Sequence, residues 1–169
     1  MIKKYAVPIL MLVTMISLCV AAYFAFFYEV KEVVAPDFMP VEQDKNVDKI
    51  VMESDTSKME KEEGGGAVTV ICKDEAVLSL GSGKINMFYQ NPSRSNSAVV
   101  VQLLIGETVI AQSGSIKPGY ELSEMEFLNN IELSVGGYNG LLKIFYYDEV
   151  TNEKSIIESV VGAEIFVVP

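Results

Sequence analysis

The sequence predicts an all-β fold, an antiparallel β-sandwich over residues 67–169, preceded by one N-terminal transmembrane helix (residues 1–28) and a flexible acidic linker (residues 29–66). Three observations carry that expectation. From Ala67 onward, short β-branched and aromatic runs alternate with turn residues every eight to twelve positions, with no long helical period. Tyr5 to Tyr28 is a run of twenty-four residues without a charge. Between the two lies an acid-rich segment that ends in Gly64-Gly65-Gly66.

The apolar stretch comes first in the chain. A helix of that length reaches about 36 Å, enough for the ~30 Å hydrocarbon core of a bilayer with some tilt. Leu12, Ile16 and Phe24 belong to its apolar body, and Tyr5 and Tyr28 stand where interfacial aromatic belts would place them. Pro8 falls in the first turn, where its missing N–H costs little. Lys3 and Lys4 precede the stretch, whereas Glu29-Val30-Lys31-Glu32 follows it. The positive-inside rule therefore predicts a single-pass protein with a cytoplasmic N-terminus and an extracellular C-terminal part. The alternative is a cleaved signal peptide ending at Val20-Ala21-Ala22, which would make the remainder a secreted protein. Continuation of the apolar run through Tyr23-Phe24-Ala25-Phe26-Phe27 favours a retained signal anchor. Cys19 follows the bulky Leu18, where a lipoprotein site needs a small residue, and reads as a small apolar residue of the helix.

Residues 29–66 hold eleven acids against five bases, with Pro36 and Pro40. High charge and few aromatics describe a solvated tether, which as a flexible chain spans roughly 30–40 Å. A faint helical spacing of Val47, Ile50, Val51 and Met59 leaves room for a short amphipathic helix within Asp44–Glu63. Gly64-Gly65-Gly66 marks the expected domain boundary.

The runs that follow are Ala67–Cys72, Ala76–Leu80, Lys84–Gln90, Ala98–Ile105, Thr108–Gln112, Glu121–Leu128, Ile131–Val135, Tyr138–Tyr147 and Ser155–Val168. Turn chemistry separates them, including Gly81-Ser82-Gly83, Gly106-Glu107 and Lys117-Pro118-Gly119. Along Tyr138–Tyr147 the two-residue period puts Leu141, Lys143, Phe145 and Tyr147 on one face, which is more apolar than an outward face needs to be. A neighbouring segment covers it, or it is a contact surface. The final strand, Ala163–Val168 with Ile165, Phe166 and Val167, is a second candidate interaction element, able to add to another sheet edge.

Ser113-Gly114-Ser115-Ile116-Lys117-Pro118-Gly119, an alternating strand after it, then Leu133, Gly137-Tyr138 and a long apolar strand together resemble small immunoglobulin-like surface domains. More narrowly, the chain is similar to signal-anchored cell-surface proteins of Gram-positive bacteria that pair one such domain with an acidic linker. Gly137-Tyr138 stands where a tyrosine corner would open a late strand. The resemblance covers about residues 84–168. It implies a cell-surface binding or structural role and no enzymatic activity. The inter-sheet cysteine pair and core tryptophan of antibody domains are absent, so the general architecture alone carries over.

Composition narrows the chemistry. The net charge of −10 divides into +2 before the apolar stretch, −6 in residues 29–66 and −6 in residues 67–169. Nothing beyond the helix is basic, so nucleic acid and anionic lipid surfaces are poor partners. The chain has no histidine, and Cys72 is the one thiol outside the apolar stretch, which leaves zinc without ligands and an intradomain disulfide impossible. Cys72 reads as a buried strand cysteine, with an intermolecular disulfide as the sharper option. No Asn-x-Ser/Thr acceptor occurs, which suits a bacterial surface. Gly81-Ser82-Gly83-Lys84 lacks the spacing, hydroxyl and following helix of a phosphate loop. Glu121, Glu124, Glu126 and Glu132, and separately Asp148-Glu149 with Asn152-Glu153, are the weak calcium candidates. The sequence thus leads to a non-enzymatic, membrane-anchored surface protein without a cofactor. Its partner would be another envelope or surface protein, and the alternative is a released module for carbohydrate, peptide or wall polymer.

Overall fold

In the computed structural model, residues 11–20, 33–51, 57–60, 69–128 and 131–169 are described. The chain divides into two compact units, Met1–Glu32 and Val33–Pro169. In the first, residues 11–20 are helical and every one of them is exposed. No glycine or proline interrupts them, and the Thr14 hydroxyl donates back to the Met11 carbonyl at 2.9 Å. Leu12 and Ile16 lie on this helix, whereas Tyr5, Phe24 and Tyr28 lie outside the described residues. Among the described residues, no helix is long and apolar enough to cross a membrane.

The second unit is all-β. Its strands are β1 (Val47–Lys49), β2 (Ile71–Cys72), β3 (Glu75–Ser79), β4 (Lys84–Asn91), β5 (Ser97–Ile105), β6 (Thr108–Gln112), β7 (Tyr120–Glu126), β8 (Gly136–Asp148) and β9 (Lys154–Val168). They form one curled sheet in the order β1-β7-β4-β3-β9-β8-β5-β6, with β2 pairing β4. Period-two alternation sets the inward residues: Ile85, Met87 and Tyr89 of β4, Leu142, Ile144 and Tyr146 of β8, and Ala163, Ile165 and Val167 of β9. These join Val99, Val101 and Leu103 of β5 and Leu122 and Met125 of β7 in one core. A bulge between Asn86 and Tyr89 shifts the β4–β7 register, so Leu122 and Met125, three apart, both reach that core.

β3 is the joint of the sheet. It runs antiparallel to β4 through Val77↔Asn86 and parallel to β9 through Val77↔Phe166. The expected wholly antiparallel pairing is therefore corrected here, and again at the isolated parallel bridge Gln43↔Ser115. An early strand that leaves the β4 hairpin to lie beside the last strand meets it running the same way. The β3–β4 link contains Gly81-Ser82-Gly83, with Gly83 at φ 66°, a hairpin turn of the kind that needs a residue with positive φ.

Two further expectations change. Ile131–Val135 is not a strand. It lies on the connection from β7 to β8, which are not neighbours in the sheet, and Ile131 and Leu133 pack against the core without joining a ladder. Within Asp44–Glu63, of which residues 44–51 and 57–60 are described, Val47–Lys49 forms a strand, β1, because β7 offers it an edge at Val47↔Leu122 and Lys49↔Tyr120. The Gly64–Gly66 boundary lies outside the described residues.

Gly140 is the tightest backbone approach in the core. A Cβ there would meet the Ile165 Cδ1 and would stand 2.6 Å from the Leu104 carbonyl oxygen. The latter is backbone and cannot swing aside. Gly140→Ala is expected to destabilise the chain by about 1–3 kcal/mol, the usual cost of overpacking, as a lower denaturant midpoint with an unchanged m-value.

Candidate functional site

The sheet presents a second apolar surface behind the core. β5 is buried on both faces, from Ser97 through Leu104. Its outward residues Ala98, Val100, Gln102 and Leu104 stand across from Tyr147, Phe145, Lys143 and Leu141 of β8. The segment expected to be a free tether covers much of this surface, and from Val33 to Val51 it lies on the β unit as a strap.

Its hold is mostly on backbone carbonyls. The Gln102 amide donates to the Val33 carbonyl at 3.1 Å and to the Gln112 side chain at 2.6 Å. The Tyr147 hydroxyl donates to the Pro36 carbonyl at 2.7 Å. Lys154 donates through Nζ to the Ala35 carbonyl at 3.0 Å and through its backbone N–H to the Asp37 carbonyl at 2.8 Å. Its ammonium also lies 5.9 Å from the Phe145 ring centroid, within cation–π range. Further along, the Asp44 carboxylate accepts the Gly114 N–H at 2.6 Å and the Asn46 N–H at 2.8 Å. A Cβ at Gly114 would stand 3.1 Å from the Asp44 backbone, so a small residue is needed at this crossing. Lys58 then donates to the Ser95 carbonyl at 2.6 Å. The linker is tied down because its carbonyls and one carboxylate satisfy buried donors on the sheet.

Each sequence-predicted interaction residue has a definite place. Tyr147 is buried under the strap, and Phe145 is half-buried beside it. Leu141 and Phe166 remain on the surface, 37% and 41% exposed, and Val160 of β9 is 50% exposed on the same outer face. Ile165 and Val167 point into the core and are unavailable for contact. The backbone of Ala163–Val167 pairs with β8 on one side, and Glu164–Val168 pairs with β3 on the other. That segment has no free edge to add to another sheet. The open edge lies earlier in β9, where β8 alone is the neighbour.

The acidic candidates are occupied otherwise. Glu124 and Glu126 share an outward face and take Lys84 (2.6 Å) and Lys45 as ion-pair partners. Asp148 Oδ1 accepts the N–H groups of Val150 (2.8 Å) and Thr151 (3.0 Å), an Asx turn closing the β8–β9 loop. Among the described residues, no group of three or more His, Cys, Asp or Glu is placed to hold a metal ion. Cys72 is half-buried opposite Tyr89, and burial, with Asp74 nearby, pushes its thiol pKa up, away from a reactive thiolate. The Tyr138 hydroxyl donates to the Ser134 carbonyl at 2.9 Å and accepts the Ser134 N–H at 3.1 Å, the upstream bond expected of a tyrosine corner. A groove of about 440 Å³ at the loop end is lined by Met39, Lys58, Ala98, Lys117, Pro118, Tyr120 and Glu149.

Sequence reasoning missed the strap and found only its imprint, the Phe145 and Tyr147 part of the over-apolar face. Pro36 beside small Ala35 was the available signal.

No family model matches the chain, and no curated protein matches it. Among solved structures, the CooA pilin subunit from enterotoxigenic Escherichia coli matches at a TM-score of 0.28 and 16% identity, over 60% of this chain and 99% of that one.

Two expected outcomes test the strap. Asp44→Ala leaves two backbone donors without their acceptor, so stability should fall by about 1–3 kcal/mol, with faster proteolysis within residues 33–51 in limited digests. Burial first, and then the Asp37 carboxylate, push the Tyr147 phenol up to about 12. An unfolded tyrosine ionises near 10, so the stabilisation is intact below about pH 10 and lost as pH rises through about 12. Thermal melts of Tyr147→Phe should start lower at neutral pH, by about 1 kcal/mol for the lost hydrogen bond, and fall less steeply across that window.

Proposed function

We propose that the chain is a non-enzymatic, membrane-anchored surface module. Its apolar N-terminal segment acts as a retained signal anchor, and its β unit is an immunoglobulin-like sandwich displayed outside the cell. The described part of the segment, residues 11–20, is helical, uncharged and exposed throughout, as a lipid-facing stretch must be. The Tyr138 corner and the joint strand β3, lying between β4 and the last strand, support the immunoglobulin-like reading. Under it, one layer is β1-β7-β4 and the other is β9-β8-β5-β6. From Val33 onward the chain is held on the β unit by the Gln102, Tyr147 and Lys154 hydrogen bonds, so residues 33–51 belong to the module and are not a free coil.

The observation that carries an interaction role is the uncovered part of the outer face. Leu141, Val160 and Phe166 stay exposed on β8 and β9 while the strap covers the neighbouring apolar residues. In this reading the module docks another envelope protein there and serves as a structural or assembly component. A second reading, a ligand-binding module released by cleavage after Ala22, is favoured by the loop-end groove with its two lysines, one glutamate and apolar floor.

One experiment separates them. With a photoreactive residue at Leu141 or Phe166 in intact cells, the first reading expects a discrete protein adduct and loss of the β unit on extracellular protease shaving. A chain recovered free in the medium with Ala22 removed, and no adduct, would replace it with the second.

A further inference from the structure

β9 carries an open edge with a defined beginning and end. The Lys154 N–H donates to the Asp37 carbonyl at 2.8 Å, closing the edge at one end. The Glu164 N–H donates to the Asp74 carbonyl at 2.6 Å, where β3 closes the other. Between these clamps, Glu158–Ala163 pairs with β8 on one side while Ser155–Ile157 bulge out of that ladder, and among the described residues no strand pairs on the other side. Both clamping donors are on even-numbered residues. The two-residue period of a strand therefore turns the N–H and C=O of Glu158, Val160 and Gly162 toward the open side. The β9 strand makes two extra residues between the Phe145 and Tyr147 pairings, which keeps that parity and throws Ile156 outward to full exposure, 102%. Val160 is 50% exposed beside it, and a Cβ at Gly162 would meet nothing within 4 Å.

We infer that this edge pairs with the same edge of a second copy of the chain, joining two sheets by an antiparallel β9–β9 contact across a two-fold axis. The edge itself fixes the register. Hydrogen bonding requires even-numbered residues to face even-numbered residues, and full use of the open run centres the axis on its midpoint, Ser159. Glu158 then faces Val160 of the other copy, and Ile156 faces Gly162, where the space is empty. The two Ser159 residues face each other at the axis. No like charges stand directly opposite, although the chain carries a net charge of −10. The match of a fully exposed isoleucine to an unfilled glycine, in the one register that spans the run, is what singles out a second copy as the occupant. The inference goes beyond the display reading and does not depend on the membrane anchor.

Charge at position 160 tests it in the full-length chain in non-ionic detergent, by sedimentation equilibrium. Val160→Glu would face Glu158 of the other copy twice per dimer and should weaken association about tenfold, whereas Val160→Lys should preserve or tighten it. Both changes are at an exposed position, so folding does not separate them. In a chain with Cys19→Ala and Cys72→Ala, Ser159→Cys should give a covalent dimer on mild oxidation, because a non-hydrogen-bonded pair brings Cα atoms to about 4.5 Å. Ile157→Cys should not, since its counterpart lies about 13 Å away along the strand. A chain that stays monomeric, equal effects of glutamate and lysine at position 160, or equal crosslinking at 157 and 159 would each overturn the inference, whatever the anchor and outer face prove to do.

Discussion

Burial of β5 on both faces is the constraint on which the rest of the β unit depends. Val99, Val101 and Leu103 fill the core, and Ala98, Val100, Gln102 and Leu104 are just as inaccessible on the opposite side. Removing a Val or Leu side chain from water is worth about 1.5–3 kcal/mol, so exposing that second set would cost several times the margin of an ordinary mutation. Gln102 adds a harder condition, because a buried amide without partners costs more than its hydrogen bonds return. A covering segment rich in small residues and carbonyls answers both needs. Val33, Ala35, Pro36 and Asp37 supply it, and their acceptors meet donors from Gln102, Tyr147 and Lys154.

That arrangement changes what an acidic, proline-containing segment does. Net negative charge and low aromatic content are ordinary marks of a solvated tether. Here one of those acids, Asp44, is spent on two backbone N–H groups at a crossing that also needs Gly114, and a lysine, Lys45, is spent on Glu126 of β7. The exposed ion pair contributes little by itself. The carboxylate that caps backbone donors contributes more, because removing it strands groups that water reaches poorly.

Much of the sheet was legible in the sequence. Eight of the nine expected runs contain an observed strand, since Ile85-Met87-Tyr89 and Leu142-Ile144-Tyr146 declare their inward face by alternation alone. The Tyr138 hydroxyl bond was legible too, because the residue opens a long strand just after a glycine. What alternation does not encode is the neighbour of each strand. Ile131–Val135 alternates as a strand does, yet Ile131 and Leu133 pack against the core without joining a ladder. Val47–Lys49 carries a weak helical spacing, yet β7 offers an edge and wins. The same blindness misplaced the free edge at Ala163–Val168, whose partner β3 lies nearly ninety residues earlier in sequence. Faces are local properties of a sequence, whereas edges are decided by the whole topology.

Lys154 ties these threads together. Its ammonium holds Ala35 and Asp37 and rests near the Phe145 ring, so it anchors the strap over the outer face. Its backbone N–H, on the same strap residue Asp37, ends the open edge of β9. One residue thus sets the coverage of the sheet's face and the length of its unpaired edge. An edge without such stops could pair in any register that conserved hydrogen bonding, each two residues from the next. With Asp37 at one end and Asp74 at the other, the run has a single midpoint. The strap therefore does more than shield apolar surface: by truncating the edge, it converts a generic strand into one that can recognise its partner in a single alignment.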